Sequence, residues 1–270
     1  MAEKKIYMFS KLDLFVKNEE VELPPAYRQS VRENWDNEIK NGKTYNNGRI
    51  YTSSGYNFNS QNKTLYIQPS DYSHYLYSRK TDPDVYSCRS LAANALFLTN
   101  DNYLVLGKMR DTTSFPGKIK FIGGAVSEDD IADYGNVDTL GCMKRECREE
   151  VGIDPDDKDL VKRMEPLCYI TRPHFTFLNT LFLVELNISK AETESVFNEF
   201  IAELAKTDRE IELSKIVFVR NDKDDILRFI NDENLAFIDY MKDFFTAYAD
   251  SDINESIEEY IKNNIREIKE

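Results

Sequence analysis

Three glutamates, Glu146, Glu149 and Glu150, stand at i, i+3 and i+4 in the stretch Arg145-Glu146-Cys147-Arg148-Glu149-Glu150-Val151-Gly152-Ile153. On a helix this spacing puts all three carboxylates on one face, within reach of a common point. Like charges that converge repel one another unless a cation stands between them. Hard divalent ions such as Mg²⁺ or Mn²⁺ take oxygen ligands, and Mg²⁺ usually keeps several waters and draws further ligands from substrate phosphates. The pattern therefore points to a metal-assisted polyphosphate site. Arg145, four residues before Glu149, is spaced to brace that carboxylate. Gly152 then stops the helix and Ile153 re-enters the core. The competing interpretation is a solvated helix face with one intrahelical ion pair.

Water attack on phosphorus needs polarised phosphate oxygens, an acidified water and a carboxylate within hydrogen-bond reach to accept the proton. Arg172 and His174, which follow an apolar run, offer a guanidinium and an imidazole to a phosphate or a base. Arg110, after YLVLGKM, and Lys118 are further candidates for substrate contact, and both also read as ordinary surface residues. The tyrosine-rich strands nearer the N-terminus carry rings that either stack a nucleobase or sugar or pack across strands.

With Gly123-Gly124 upstream, the stretch 145–153 resembles the signature of the Nudix hydrolases, which ends in Arg-Glu-aliphatic-x-Glu-Glu-x-Gly-aliphatic. The resemblance covers residues 91–230 and implies an α/β/α sandwich with a mixed sheet. It also implies hydrolysis of a nucleoside diphosphate linked to another moiety, with Mg²⁺ or Mn²⁺ as cofactor. Carried over, it makes Glu149 and Glu150 metal ligands, Glu146 a ligand or the base, Arg145 the brace and the Gly123 carbonyl a further ligand. Where the base comes from a later loop in such proteins, Glu210 and Glu212 stand at the matching place here. The first half of the signature departs from the pattern. Gly124 and Arg145 are seven residues further apart than it allows, and the position eight before Arg145 holds Val137 rather than Glu, with Asp138 or Glu128 as substitutes.

A second resemblance spans residues 20–125. A helix with Trp35, then YNNGRIY, TLYIQPSDYSHYLYS and LAANALFLTNDNYLVLGKM, is similar to the UDP-sugar (UDP-glucose) pyrophosphatase type, which has a similar N-terminal extension. It implies conversion of a nucleotide sugar and water to a nucleoside monophosphate and a sugar 1-phosphate. The alternative on the same fold is a non-catalytic nucleotide-sensing protein, suggested by the departed signature glutamate and the large extra segments. An RNA-processing enzyme would need a basic groove.

These residues must be positioned by an α/β (α+β) arrangement, which we divide into an N-terminal α+β module at 1–88, a Nudix-type domain at 89–235 and a C-terminal helical extension at 236–270. The N-terminal stretch around IYMFSKLDLFV reads as a strand. After Pro24-Pro25, the residues Tyr27, Val31, Trp35 and Ile39 recur every four positions until Asn41-Gly42, which predicts an amphipathic helix. RIYTSSGYNF and KTLYIQ alternate as antiparallel strands. LAANALFLT and YLVLGKM are short apolar runs joined by Asn100-Asp101-Asn102, a strand pair. KIKFIG, EPLCYITR, TFLNTLFLVEL and KIVFV predict further strands, with helices at 139–151, 190–206 and 222–231. In the tail, Ile253, Ile257, Ile261, Ile265 and Ile268 predict an amphipathic helix that packs on the body or on a second subunit, hence a possible homodimer.

Composition narrows the partners. The chain has 270 residues, 41% hydrophobic and 31% charged, as a folded globular protein has. Its 35 basic and 48 acidic residues give a net charge of −13, which disfavours nucleic acid and anionic membrane as partners but leaves a small nucleotide open. Lys11 and Asp13 interrupt the first apolar stretch and no long apolar run follows, so a cytoplasmic protein is expected. Cys88, Cys142, Cys147 and Cys168 form no CxxC pair, and with only His74 and His174 a zinc site is disfavoured.

Overall fold

The computed structural model describes residues 7–9, 13–43, 45–52, 58–59, 64–81, 86–171 and 177–249. Its strands are β1 (Tyr7–Phe9), β2 (Asp13–Val16), β3 (Arg49–Thr52), β4 (Phe58–Asn59), β5 (Thr64–Asp71), β6 (Ser90–Leu98), β7 (Tyr103–Met109), β8 (Ile119–Lys120), β9 (Ile122–Ala125), β10 (Val161–Thr171), β11 (Phe177–Leu186) and β12 (Leu213–Arg220). The helices are α1 (Pro25–Lys40), α2 (Tyr72–Ser78), α3 (Thr139–Glu150), α4 (Lys190–Leu204), α5 (Lys223–Ile230) and α6 (Asp239–Ala249).

The described strands form one mixed sheet with the path β1-β10-β11-β6-β3-β5-β2. The pairs β11–β6 and β2–β5 are parallel, whereas β10–β11, β6–β7, β6–β9, β7–β12 and β3–β5 are antiparallel. Strands β2 to β5 join the rest of the sheet through the β3–β6 pairing, Thr52 with Ser90, whereas β1 pairs antiparallel with β10.

Alternation along the central strands divides the core into two clusters. On β6 and β11, Leu91, Ala93, Ala95, Phe97, Phe182 and Val184 pack with Cys142, Met143 and Cys147 of α3 and Phe197 of α4. Leu96, Leu181 and Leu183, offset by one residue, pack with Ile226 and Ile230 of α5 and Met241, Phe244 and Phe245 of α6. Because side chains alternate across a strand, helices cover both faces of the sheet and give an α/β/α layering. The strands expected at KTLYIQ, LAANALFLT, YLVLGKM, EPLCYITR, TFLNTLFLVEL and KIVFV and the helices at 139–151, 190–206 and 222–231 are present, with ends shifted by a few residues. IYMFSKLDLFV and RIYTSSGYNF are each described as two short strands, β1 with β2 and β3 with β4, and the residues between lie outside the described ones. KIKFIG is broken into β8 and β9 around the buried Phe121.

Helix α2 forms after KTLYIQ, where the sequence reading placed no element; Asp71 caps it by accepting from the His74 backbone N–H at 2.8 Å, a local bond that apolar periodicity does not reveal. Only Val31 of the α1 stripe is buried, and Ile39 is exposed. The isoleucine-rich tail and its helix lie outside the described residues, as do Arg172 and His174. No described helix is long and apolar enough to cross a membrane. The four cysteines are buried and free.

Candidate active site

Helix α3 begins where Asp138 accepts from the Gly141 N–H at 2.8 Å and ends at Val151. Gly152 follows with φ of 69°, a conformation open to glycine, and the Ile153 N–H returns to the Cys147 carbonyl at 3.1 Å. The buried residues of α3 are Cys142, Met143, Glu146, Cys147 and Glu150. Glu146 and Glu150 thus continue the apolar row that packs on the sheet, one turn apart, while Glu149 flanks that row on the solvent side. This explains why the three carboxylates do not meet as their spacing suggested. Among the described residues no three His, Cys, Asp or Glu side chains come together as a metal site.

Each carboxylate is instead engaged by donors of the chain. Glu150, 7% exposed, accepts from Lys120 Nζ at 2.6 Å on one oxygen and from the Gly123 N–H at 2.7 Å on the other. Lys120 Nζ also donates to the Gly123 carbonyl at 2.6 Å. Burial works against the Lys120 ammonium, but the charge of Glu150, with Glu212 behind it, outweighs this and raises its pKa. Glu146 accepts from Arg145 Nη1 at 2.6 Å, and the same nitrogen donates to Glu149 at 3.0 Å. Burial and the neighbouring Glu150 charge push the Glu146 carboxyl up to about 7, against the opposing Arg145 charge. Glu149 is half-exposed and also faces Arg209 at 3.7 Å.

Arg145 bonds Glu149 as its spacing allows, and has a further partner the sequence did not suggest. Its Nη2 donates at 2.9 Å to Asp130, a buried residue of the inserted segment. Asp130 is held in turn by the Ser127 N–H and hydroxyl, at 2.8 and 2.9 Å. These hydrogen bonds, Arg145 first, keep its carboxyl below the usual range although burial alone would raise it. The acidic residue of the inserted segment that meets Arg145 is Asp130, neither Asp138 nor Glu128, the two expected substitutes for the signature glutamate. Asp138 caps α3, and Glu128 pairs with Arg49 at 3.1 Å.

The Glu146 carboxylate lies directly over Gly124, where any Cβ would collide with it. It opens onto a cavity of about 540 Å³, in the range of small-molecule sites. Lys120, Gly123 and Gly124 line this cavity, as do Glu210 and Glu212 and the contiguous rings of Tyr45, Tyr72 and Tyr75. Thr112 to Phe115 close the side; Ser114 is hydrogen-bonded to the Tyr72 hydroxyl, and the Arg79 guanidinium lies 4.1 Å from the Phe115 ring centroid. Within the cavity lining, Asn94 donates to Asn179 at 2.6 Å, and the Asn179 amide nitrogen is buried without a protein partner. Arg110 and Lys118 are not among the lining residues. The Arg110 N–H fixes the Glu212 carbonyl at 2.8 Å, and Lys118 lies 5.8 Å from the centre of the Phe115 ring.

Sequence reasoning missed Lys120 and Asp130. Lys120 carried a signal, a charge flanked by Ile119 and Phe121 inside the strand run KIKFIG; Asp130, one of several acidic residues in the insertion, carried none. Glu146 and Glu149 lie close enough to bond one Arg145 nitrogen and each keeps an oxygen that Arg145 does not bond, so their donors suit a hard divalent ion. Glu150 and the Gly123 carbonyl do not suit it as arranged, because Lys120 and the Gly123 N–H already satisfy them.

No family model matches the chain, and no curated protein matches it in sequence. Solved structures with a similar arrangement include the protein DR0079 from Deinococcus radiodurans, 14% identical over 72% of this chain and 95% of that one, with a TM-score of 0.43. The Nudix domain of Shewanella oneidensis NrtR in complex with ADP-ribose is 14% identical over 62% of this chain and 90% of its own, with a TM-score of 0.33. The Bacillus subtilis pyrophosphohydrolase BsRppH is 13% identical over 62% and 83%, with a TM-score of 0.36. All three TM-scores are under 0.5, so the chemistry of this site rests on its own residues.

Proposed function

We propose that this chain is a Nudix-type pyrophosphohydrolase that uses a divalent ion to cleave a nucleoside diphosphate linked to another moiety. The observation that carries the reading is the buried Glu146 carboxylate, opening onto a cavity of about 540 Å³ and sharing one Arg145 nitrogen with Glu149. Glu146 and Glu149 would hold Mg²⁺ or Mn²⁺, which when bound supplies positive charge to phosphate oxygens and acidifies a water. Arg145 holds both carboxylates through one nitrogen, and Asp130 fixes Arg145. Glu212 borders the cavity with its backbone tied down by Arg110, and is the group we assign to accept the proton of the attacking water, with Glu210 beside it. Water adds to one phosphorus, the P–O–P bond breaks, and the products are a nucleoside monophosphate and a phosphorylated second product.

The tyrosine rings lining the cavity support a substrate with a ring to stack, and a nucleotide sugar such as UDP-glucose meets that requirement. The free Asn179 donor supplies a polar contact for such a group. Release of nucleoside monophosphate from UDP-sugars, ADP-sugars, dinucleoside polyphosphates and NAD, with Mg²⁺ or Mn²⁺ present, tests this. Turnover should require the ion and be abolished in Glu149→Gln; wild-type rates in that variant would reject the assignment. Nucleotide binding without turnover would instead identify a sensor.

A further inference from the structure

A lysine ammonium loses its hydration on burial, so a buried lysine survives only where the fold supplies acceptors. Lys120 is 7% exposed. Its backbone is fixed on both sides, since Ile119 is bonded through its N–H to Ala236 at 2.8 Å and through its carbonyl to Ile238 at 3.0 Å, and Phe121 is fully buried. From this anchored position Nζ reaches the Gly123 carbonyl and the Glu150 carboxylate, both at 2.6 Å. A carbonyl and a carboxylate gathered around one point are the oxygen donors that a divalent ion would otherwise collect.

We propose that Lys120 is a resident cation, its ammonium standing between the Gly123 carbonyl and Glu150 in place of a second metal ion. The inference rests on the reading above for the first ion, held by Glu146 and Glu149, but the role of Lys120 can be tested apart from it. The charge at this second position is covalently attached, present whatever the metal supply, and smaller than that of a dication. An ammonium has three donors, so two bonds to the protein leave one for a ligand in the cavity that Lys120 lines.

The test is Mn²⁺ binding to the whole chain, read by electron paramagnetic resonance of free ion and by titration calorimetry. Wild type should bind about one ion, and Lys120→Met about two. The added ion should disappear in Lys120→Met/Glu150→Gln. Lys118→Met, which removes the same charge outside the cavity, should add none, so a general charge effect is separated from vacating the position. No added ion in folded Lys120→Met overturns the proposal. If wild type binds no ion while Lys120→Met gains one through Glu150, the resident cation stands and the metal-dependent reading of Glu146 and Glu149 falls. Should Lys120→Met fail to fold, Glu150→Gln decides: Mn²⁺ affinity within about threefold of wild type supports the proposal, and any larger loss, towards the roughly tenfold or more of a true ligand shell, overturns it.

Discussion

Glu146 should make the metal-free protein less stable as pH rises, and replacing it with glutamine should remove that dependence. Its carboxyl is raised from 4.5 to about 7 by burial and by the Glu150 charge. The unfolded chain therefore loses this proton more readily than the folded one. The stabilising contribution is fully present below pH 4.5 and is lost as pH climbs through about 7. A shift of this size, at 1.36 kcal/mol per pKa unit, corresponds to about 3 kcal/mol between the acid and alkaline limits, most of it falling between pH 5 and 8. In Glu146→Gln, which keeps the shape, this term is absent. The assay is urea unfolding of wild type and variant at pH 5, 6, 7 and 8 with EDTA, at matched slopes so that the denatured states are comparable. The difference in stability between variant and wild type should grow in favour of the variant by about 2 to 3 kcal/mol from pH 5 to 8. A difference that stays flat across that interval would refute the picture of a carboxylate ionised with difficulty beside Glu150.

Two further changes probe the site. Glu212→Gln should lower kcat by about 10² or more while leaving Mn²⁺ affinity unchanged, because a general base contributes to proton transfer rather than to ion binding; a parallel loss of Mn²⁺ binding in calorimetry would contradict its assignment. Gly124→Ala puts a methyl group where the Glu146 carboxylate lies, so turnover should fall by about tenfold or more through misplacement of that group, as measured by initial rates on the best substrate.

Much of the sheet was legible because β6, β7, β11 and β12 are short apolar runs closed by turn residues, a pattern that buried strands require. The helix carrying Arg145, Glu146, Glu149 and Glu150 was legible from its charge spacing and from Gly152. What spacing could not tell was rotation. Cys142, Glu146 and Glu150 form a row against the sheet, and Glu149 is left outside it. Nor could it give the pairing of Glu150 with Lys120 or of Arg145 with Asp130, since each joins residues 30 and 15 positions apart whose meeting depends on how α3 packs against β9 and the inserted segment. Helix α2 was missed because its cap is a local hydrogen bond that apolar periodicity does not reveal.

The most direct test of the central claim is hydrolysis of an active nucleoside diphosphate derivative in water enriched in oxygen-18, with the products analysed by mass spectrometry. Attack at phosphorus predicts one labelled oxygen in a phosphoryl group of one product, formed only with Mg²⁺ or Mn²⁺ and lost in Glu149→Gln. Label in a non-phosphorylated product, or turnover that persists without the divalent ion, would contradict it.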